Sequence, residues 1–163
     1  MDSMKKIIGI LSLSLLLASC GEKKEEKKAG FEMNRAKTEK KATVETKVDV
    51  PVDMDNQGVG PYKNIEFPTT IDADLAAKGE IKYNAVCTAC HMPEKRMIGP
   101  ALAGVYERRS AAWVMNMLKN PDEMLKEDPI AKALLKEYNN AIMLNNNLTD
   151  DETRAVAEYL RTL

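Results

Sequence analysis

The sequence predicts an all-α fold for residues 58–163. Apolar residues there recur at helical spacing, each helical segment opens on a recognisable capping residue, and no stretch of residues 69–163 shows the strict alternation of a half-buried strand. Order is expected to begin near Gly58-Val59-Gly60-Pro61. Ile65 and Phe67 alternate with Glu66, which suggests a short extended strap laid along the domain before Pro68.

Asp72 is the expected N-cap of a first helix reaching about Val86, with Leu75, Gly79, Tyr83 and Val86 on one face. A glycine in mid-helix costs about 0.5–1 kcal/mol relative to alanine, so Gly79 implies close approach by another helix. Ser110 caps a second helix through Trp113 to about Asn120, where Pro121 is expected to stop it. Asp128, with Pro129 at the first helical position, starts a third that ends near Tyr138. Thr149 and Glu152 form a capping box for a terminal helix whose apolar face carries Ala155, Val156, Tyr159, Leu160 and Leu163.

Upstream, the chain changes character. Lys5 and Lys6 precede a Leu-rich apolar run over residues 7–18, too short to span a bilayer comfortably, and Leu17-Ala18-Ser19-Cys20 follows at once. The order of parts resembles the bacterial lipobox, which makes Cys20 the expected lipidation site. An ordinary signal peptide with a chance cysteine, or a redox-active thiol at Cys20, is the alternative reading. Residues 1–19 are thus expected to be a lipoprotein signal peptide and residues 20–57 a lipidated, charged tether with too little apolar surface to offset its ordering entropy. The formal net charge of −1 for the whole chain supports neither a nucleic-acid partner nor steering by a strongly basic face.

Cys87-Thr88-Ala89-Cys90-His91 is the chemically specific stretch. C-x-x-C followed directly by His is the covalent attachment signature of c-type haem: two thiols can add across the haem vinyl groups, and the adjacent imidazole becomes the proximal iron ligand. Cys87 and Cys90 could instead be a thioredoxin-like redox pair, but that requires a βαβ context. They could begin a zinc site, but a closed site takes four ligands and His91 is the single histidine of the chain. A domain this small would draw much of its core from one large apolar cofactor.

The succession of helix, C-x-x-C-H, Gly99-Pro100-Ala101-Leu102, further helices, a Met-bearing loop and a capped terminal helix resembles a class I monohaem cytochrome c. With its lipobox, the chain is similar to the lipoprotein cytochromes of Gram-negative bacteria. The resemblance implies a small helical domain wrapped around one covalently bound iron-protoporphyrin, haem c, with Cys87 and Cys90 as thioethers and His91 as proximal ligand. It also implies that the Pro100 carbonyl holds the second nitrogen of His91, and that Gly79 and Tyr83 of the first helix pack against Tyr159 of the last.

The distal ligand must be chosen among ten methionines. Met1, Met4, Met33 and Met54 fall in the signal or tether, and Met92 and Met97 lie close after His91, which leaves Met115, Met117, Met124 and Met143. The first two sit on the Trp113 helix, where methionine more often fills core gaps. The resemblance implies Met143, in the loop just before the terminal helix, although Leu144 stands where the family commonly has proline. Trp113 could donate its indole N–H to a haem propionate with Arg108 or Arg109 nearby, or be a large core side chain; the residues leave both open.

With His91 and Met143 both on the iron there is no vacant position, so the expectation is electron transfer without catalysis of a bond change. The resemblance implies redox protein partners such as a terminal oxidase or a reductase, nitrous oxide reductase among them, and a location on the periplasmic side of a bacterial membrane. The alternative is a haem-based small-ligand binding or sensor protein with a weak or absent Met ligand, motivated by Leu144.

Overall fold

Asp72, Ser110, Asp128 and Thr149 all take extended backbone conformations, and each side chain accepts the N–H three residues ahead, from Leu75, Trp113, Ala131 and Glu152. These contacts satisfy one orphan donor at each helix start, and at Thr149 the Glu152 carboxylate returns the bond to complete the box. A computed structural model describes residues 49–163, so the expected signal peptide, Cys20 and the tether as far as residue 48 lie outside the described residues. The described helices are α1 (Ala73–Val86), α2 (Ala111–Lys119), α3 (Pro121–Glu127), α4 (Pro129–Glu137) and α5 (Asp150–Leu160), with a 3-10 turn at Val105–Glu107. Among the described residues the only β pairing is an isolated bridge between Asp53 and Arg109.

The first and last helices make the most extensive helix–helix contact. Gly79 permits it: a methyl group there would overlap the Ala155 carbonyl oxygen of α5 and press on Tyr159 Cβ at 2.9 Å. One turn on, the Tyr83 and Tyr159 rings meet at 5.1 Å between centroids. The mid-helix glycine therefore marks a helix crossing. Around it Val156 and Ala157 are fully buried, and Leu118, Met124, Ile130 and Leu160 complete the core.

One expectation is met with an addition, and a second is corrected. α2 ends at Lys119, just before Pro121, and Pro121 then occupies the first position of a further helix, α3, not expected from the sequence. Asn120 leaves the helix at φ −140°, ψ 56°, and a proline with no N–H to satisfy is well suited to start the next one. So short a helix is marginal alone, and burial of Pro121 and Met124 supports it. Packed structure also begins before Gly58. Asp53 Oδ1 accepts the N–H groups of Asp55 and Asn56, which turns the chain so that Asn56 Nδ2 reaches Asp128 Oδ2 at 2.7 Å. Ser110 Oγ donates to Asn56 O, and the buried Arg109 guanidinium donates to Pro51 O. Farther along, Ile65 and Phe67 pack against the core as an irregular strap, Phe67 meeting Tyr106 edge-on at 5.4 Å.

A buried carboxylate ties the strap to α5. The Glu158 side chain is 1% exposed and bonds Arg154 at 2.6 Å, Arg161 at 2.5 Å and the Asp72 N–H at 2.9 Å, while Arg161 also donates to Pro68 O. Burial alone would raise the Glu158 pKa, but the Asp72 N–H, Arg154 and Arg161 together outweigh it and hold the carboxyl below the ordinary glutamate range. A depressed folded-state pKa stabilises the fold fully above the unfolded value of about 4.3, and that stabilisation is lost as pH falls through the folded value. Glu158→Gln is expected to lower stability at pH 7 while flattening the acid limb below about pH 4.5. Denaturant midpoints of both proteins across pH check this, and parallel acid limbs would remove Glu158 from that role.

Candidate functional site

At the C-terminal end of α1 the Cys87 N–H still bonds Tyr83 O at 2.8 Å, and then the N–H groups of Cys90 and His91 both turn back to Cys87 O, at 3.1 and 2.9 Å. This turn gathers Cys87, Cys90 and His91 on one wall of a cavity of about 390 Å³. Tyr83 Oη donates to His91 O at 3.2 Å, so the helix crossing holds the turn from behind.

The loop after the motif closes on the imidazole. His91 Nδ1 lies 2.9 Å from Pro100 O. A carbonyl can only accept, so Nδ1 carries the hydrogen and Nε2 keeps its lone pair for a metal. Gly99 lies flat against the ring: a Cβ there would overlap Cε1 and come within 2.8 Å of Nδ1. Gly99 N also donates to Cys90 O at 2.8 Å.

Burial, and then the neighbouring Cys90, push the Cys87 thiol up to about 11. The thioredoxin-like reading also lacks its context, since no strand flanks the motif among the described residues. No cluster of three or more His, Cys, Asp or Glu side chains able to hold a metal ion occurs among the described residues, which disfavours zinc. The remaining walls are mostly aliphatic, with Leu102, Val105, Val114, Leu118, Val156 and Leu160 among them. Two thiols, one imidazole with a free Nε2 and an apolar slot fit a covalently tethered haem, with Cys87 and Cys90 available for thioethers and His91 for the iron.

Four methionines are candidates for the opposite side: Met115, Met117, Met124 and Met143. Met124 is fully buried, and its sulfur accepts the Val59 N–H at 3.0 Å. Met115 lines a different groove, beside Tyr62 and Asp150. Among the described residues, Met117 of α2 and Met143 of the loop before α5 are the two methionines that line the cavity. That loop is bounded by Asn139, Asn140 and Asn147, all at φ of 50–60°, a left-handed conformation that asparagine tolerates better than most residues. Leu144 lies at the cavity rim, 73% exposed.

Trp113 also lines the cavity, but its indole N–H is spent elsewhere, on Asp128 Oδ1 at 3.0 Å. The Asp128 carboxylate is buried and takes the Trp113, Asn56 and Ala131 donors together. The indole is thus a wall, not a donor to a ligand. Arg108 and Arg109 remain at the cavity as positive groups, Arg109 only 6% exposed with its pKa lowered by burial first and by Arg108 second. Sequence reasoning missed the contribution of α4, whose Leu134 and Leu135, followed by Tyr138, line the cavity. The apolar pattern Ile130, Ala131, Leu134, Leu135, Tyr138 was the available signal.

Because Gly99 touches the imidazole, Gly99→Val is expected to turn His91 away from Pro100. The yield of covalently attached haem should fall several-fold on the scale of a lost positioning contact. A pyridine haemochrome assay per mole of protein measures this, and unchanged haem content would show that the ring needs no such backing.

Comparison with known proteins agrees with this geometry. The family described as Cytochrome c matches residues 76–163. A cytochrome c2 of Rhodopseudomonas palustris is 30% identical over 112 residues, covering 54% of this chain and 97% of that protein. Among solved structures, a cytochrome c from Rhodothermus marinus is 42% identical with a TM-score of 0.60, covering 63% of this chain and 88% of that one. An engineered form of that cytochrome, bound to a carbene intermediate, matches with 42% identity and a TM-score of 0.58. With its all-α architecture and its paired cysteines and histidine on one apolar cavity, the chain belongs to the cytochrome c family of electron carriers, whose single haem c is covalently bound.

Proposed function

We propose that this protein is a membrane-tethered single-electron carrier with His/Met ligation. Cys87 and Cys90 hold the haem, His91 is the proximal ligand oriented by Pro100, and Met143 is the distal ligand. The observation that carries this reading is the convergence on one cavity of the His91–Pro100 pair and a methionine from the loop before α5. Bound there, the haem supplies one-electron chemistry at iron; the chain supplies the two ligands, a dry apolar slot and, from Arg108 and Arg109, positive charge for the propionates. Methionine sulfur opposite histidine raises the potential and leaves no vacant position for a substrate.

The rest of the proposal concerns place and partner. Cys20 carries lipid after removal of residues 1–19. Residues 20–57 form the tether, whose last part, from about Val50, lies along the domain. The protein then works on the periplasmic side of a bacterial membrane and exchanges electrons with a terminal oxidase or a reductase, nitrous oxide reductase among the candidates. Among the described residues no helix is long and apolar enough to cross a membrane.

A second reading, small-ligand binding at the distal face, draws on the exposed Leu144 and the left-handed asparagines that flank Met143. The engineered relative's bound carbene shows only what that protein accommodates. A five-coordinate, high-spin reduced spectrum with rapid carbon monoxide binding would favour this reading over the carrier.

The carrier reading predicts a methionine-to-iron charge-transfer band in the oxidised protein that Met143→Ala abolishes and Met117→Ala preserves; the reverse pattern would move the ligand to α2. For the anchor, Cys20→Ser is expected to release the protein from membranes and slow electron exchange with membrane-bound oxidase or reductase while leaving the spectrum unchanged. Equal rates for tethered and released protein would count against a role for the tether in transfer.

A further inference from the structure

The loop that follows the haem motif sends one long side chain across to the other wall of the cavity. Arg96 Nη1 pairs with Glu137 Oε1 at 2.5 Å, its Nη2 donates to Glu137 O at 2.6 Å, and its guanidinium carbon sits 3.9 Å above the centre of the Tyr138 ring. Glu137 is the last residue of α4, so its carbonyl is one of those a helix leaves without an intrahelical partner, and a cation there also meets the negative end of the helix dipole. At one end of this contact Arg96 stands five residues after His91 and two before Ile98, which lines the cavity. At the other, Tyr138 also lines the cavity and stands five residues before Met143.

Between Tyr138 and Met143 the chain is held locally. Asn139 and Asn140 are both left-handed, Asn140 N bonds Leu135 O at 2.8 Å and Ala141 N bonds Tyr138 O at 3.0 Å. Beyond that turn stand Ile142 and Leu144, 63% and 73% exposed, on either side of Met143. Arg96 thus links the root of the Met143 loop to the loop that follows His91.

We propose that Arg96 is a positioning residue for the distal ligand: its clasp on Glu137 and Tyr138 holds the two cavity walls together and keeps Met143 from being displaced. The inference rests on the His/Met reading above. An exposed ion pair alone contributes little, with a median of about 0–1 kcal/mol, and the Arg96 side chain is 48% exposed. Here the pair is joined by a charge-assisted bond to a main-chain carbonyl and by a cation–π contact, and the fork geometry needed for both belongs to arginine and not to lysine.

The test uses full-length holoprotein with imidazole as the competing ligand. Arg96→Ala is expected to raise the affinity of the oxidised protein for imidazole roughly fivefold to tenfold at low ionic strength, by analogy with the loss of a charge-assisted bond. Arg96→Lys should restore less than half of that difference on a logarithmic scale. Limited proteolysis should cut Arg96→Ala faster within residues 139–147, with the cut site identified by mass spectrometry. Imidazole affinity within twofold of wild type together with unchanged cutting would overturn the proposal. Failure of the underlying reading would look different: the wild-type protein itself would lack the methionine-to-iron band before any substitution is made.

Discussion

The close crossing of α1 and α5 at Gly79 is the constraint on which the remaining structure depends. No side chain separates the two backbones there, so the last turn of α1 is held against a helix from the far end of the chain. That turn runs directly into Cys87, and Tyr83 reaches from the crossing to the His91 carbonyl. The orientation of the haem-binding turn is therefore inherited from helix packing.

Electrostatics closes the ends of this arrangement. Glu158 on α5 gathers Arg154, Arg161 and the start of α1, and Arg161 extends the link to the strap through Pro68 O. Asp128 does similar work on the other side, binding Trp113 from the cavity wall, Asn56 from the packed segment before Gly58 and the first turn of α4. A buried carboxylate is costly unless its acceptor positions are filled, and both are filled by donors from separate segments. Each thereby selects one relative placement of three pieces of chain.

Electron transfer suits a site built this way. The proximal half comes from one continuous stretch, His91 to Pro100, and is held by short-range bonds and by Gly99 against the ring. The distal half comes from a loop rich in asparagine, tied at its root by Arg96 and, past its end, by Lys119 donating to Leu148 O. In the proposed His/Met reading, one ligand is thus supported by packing and the other by loop anchors, and the adjustable side is the one on which Leu144 departs from the common family pattern.

The sequence by itself determined the starts of α1, α2, α4 and α5, the haem motif and the reason for Gly79, and the family resemblance implied the Pro100 pairing with His91. The cap contacts span three residues, where residue type and spacing alone specify the hydrogen bond, and for Gly79 the missing side chain announced the crossing. Only the tertiary structure decided that Met115 and Met124 turn away from the cavity while Met117 and Met143 face it, that Trp113 gives its N–H to Asp128, and that packed chain begins upstream of Gly58. It also decided that Pro121, besides closing off α2, opens α3. The physical reason is range: Asn56 and Asp128 lie 72 residues apart, and Arg96 and Glu137 lie 41 apart. A polar side chain in a sequence carries no mark of which distant donor or acceptor will meet it, and only the packed fold, in which buried polar groups must find partners, makes that choice.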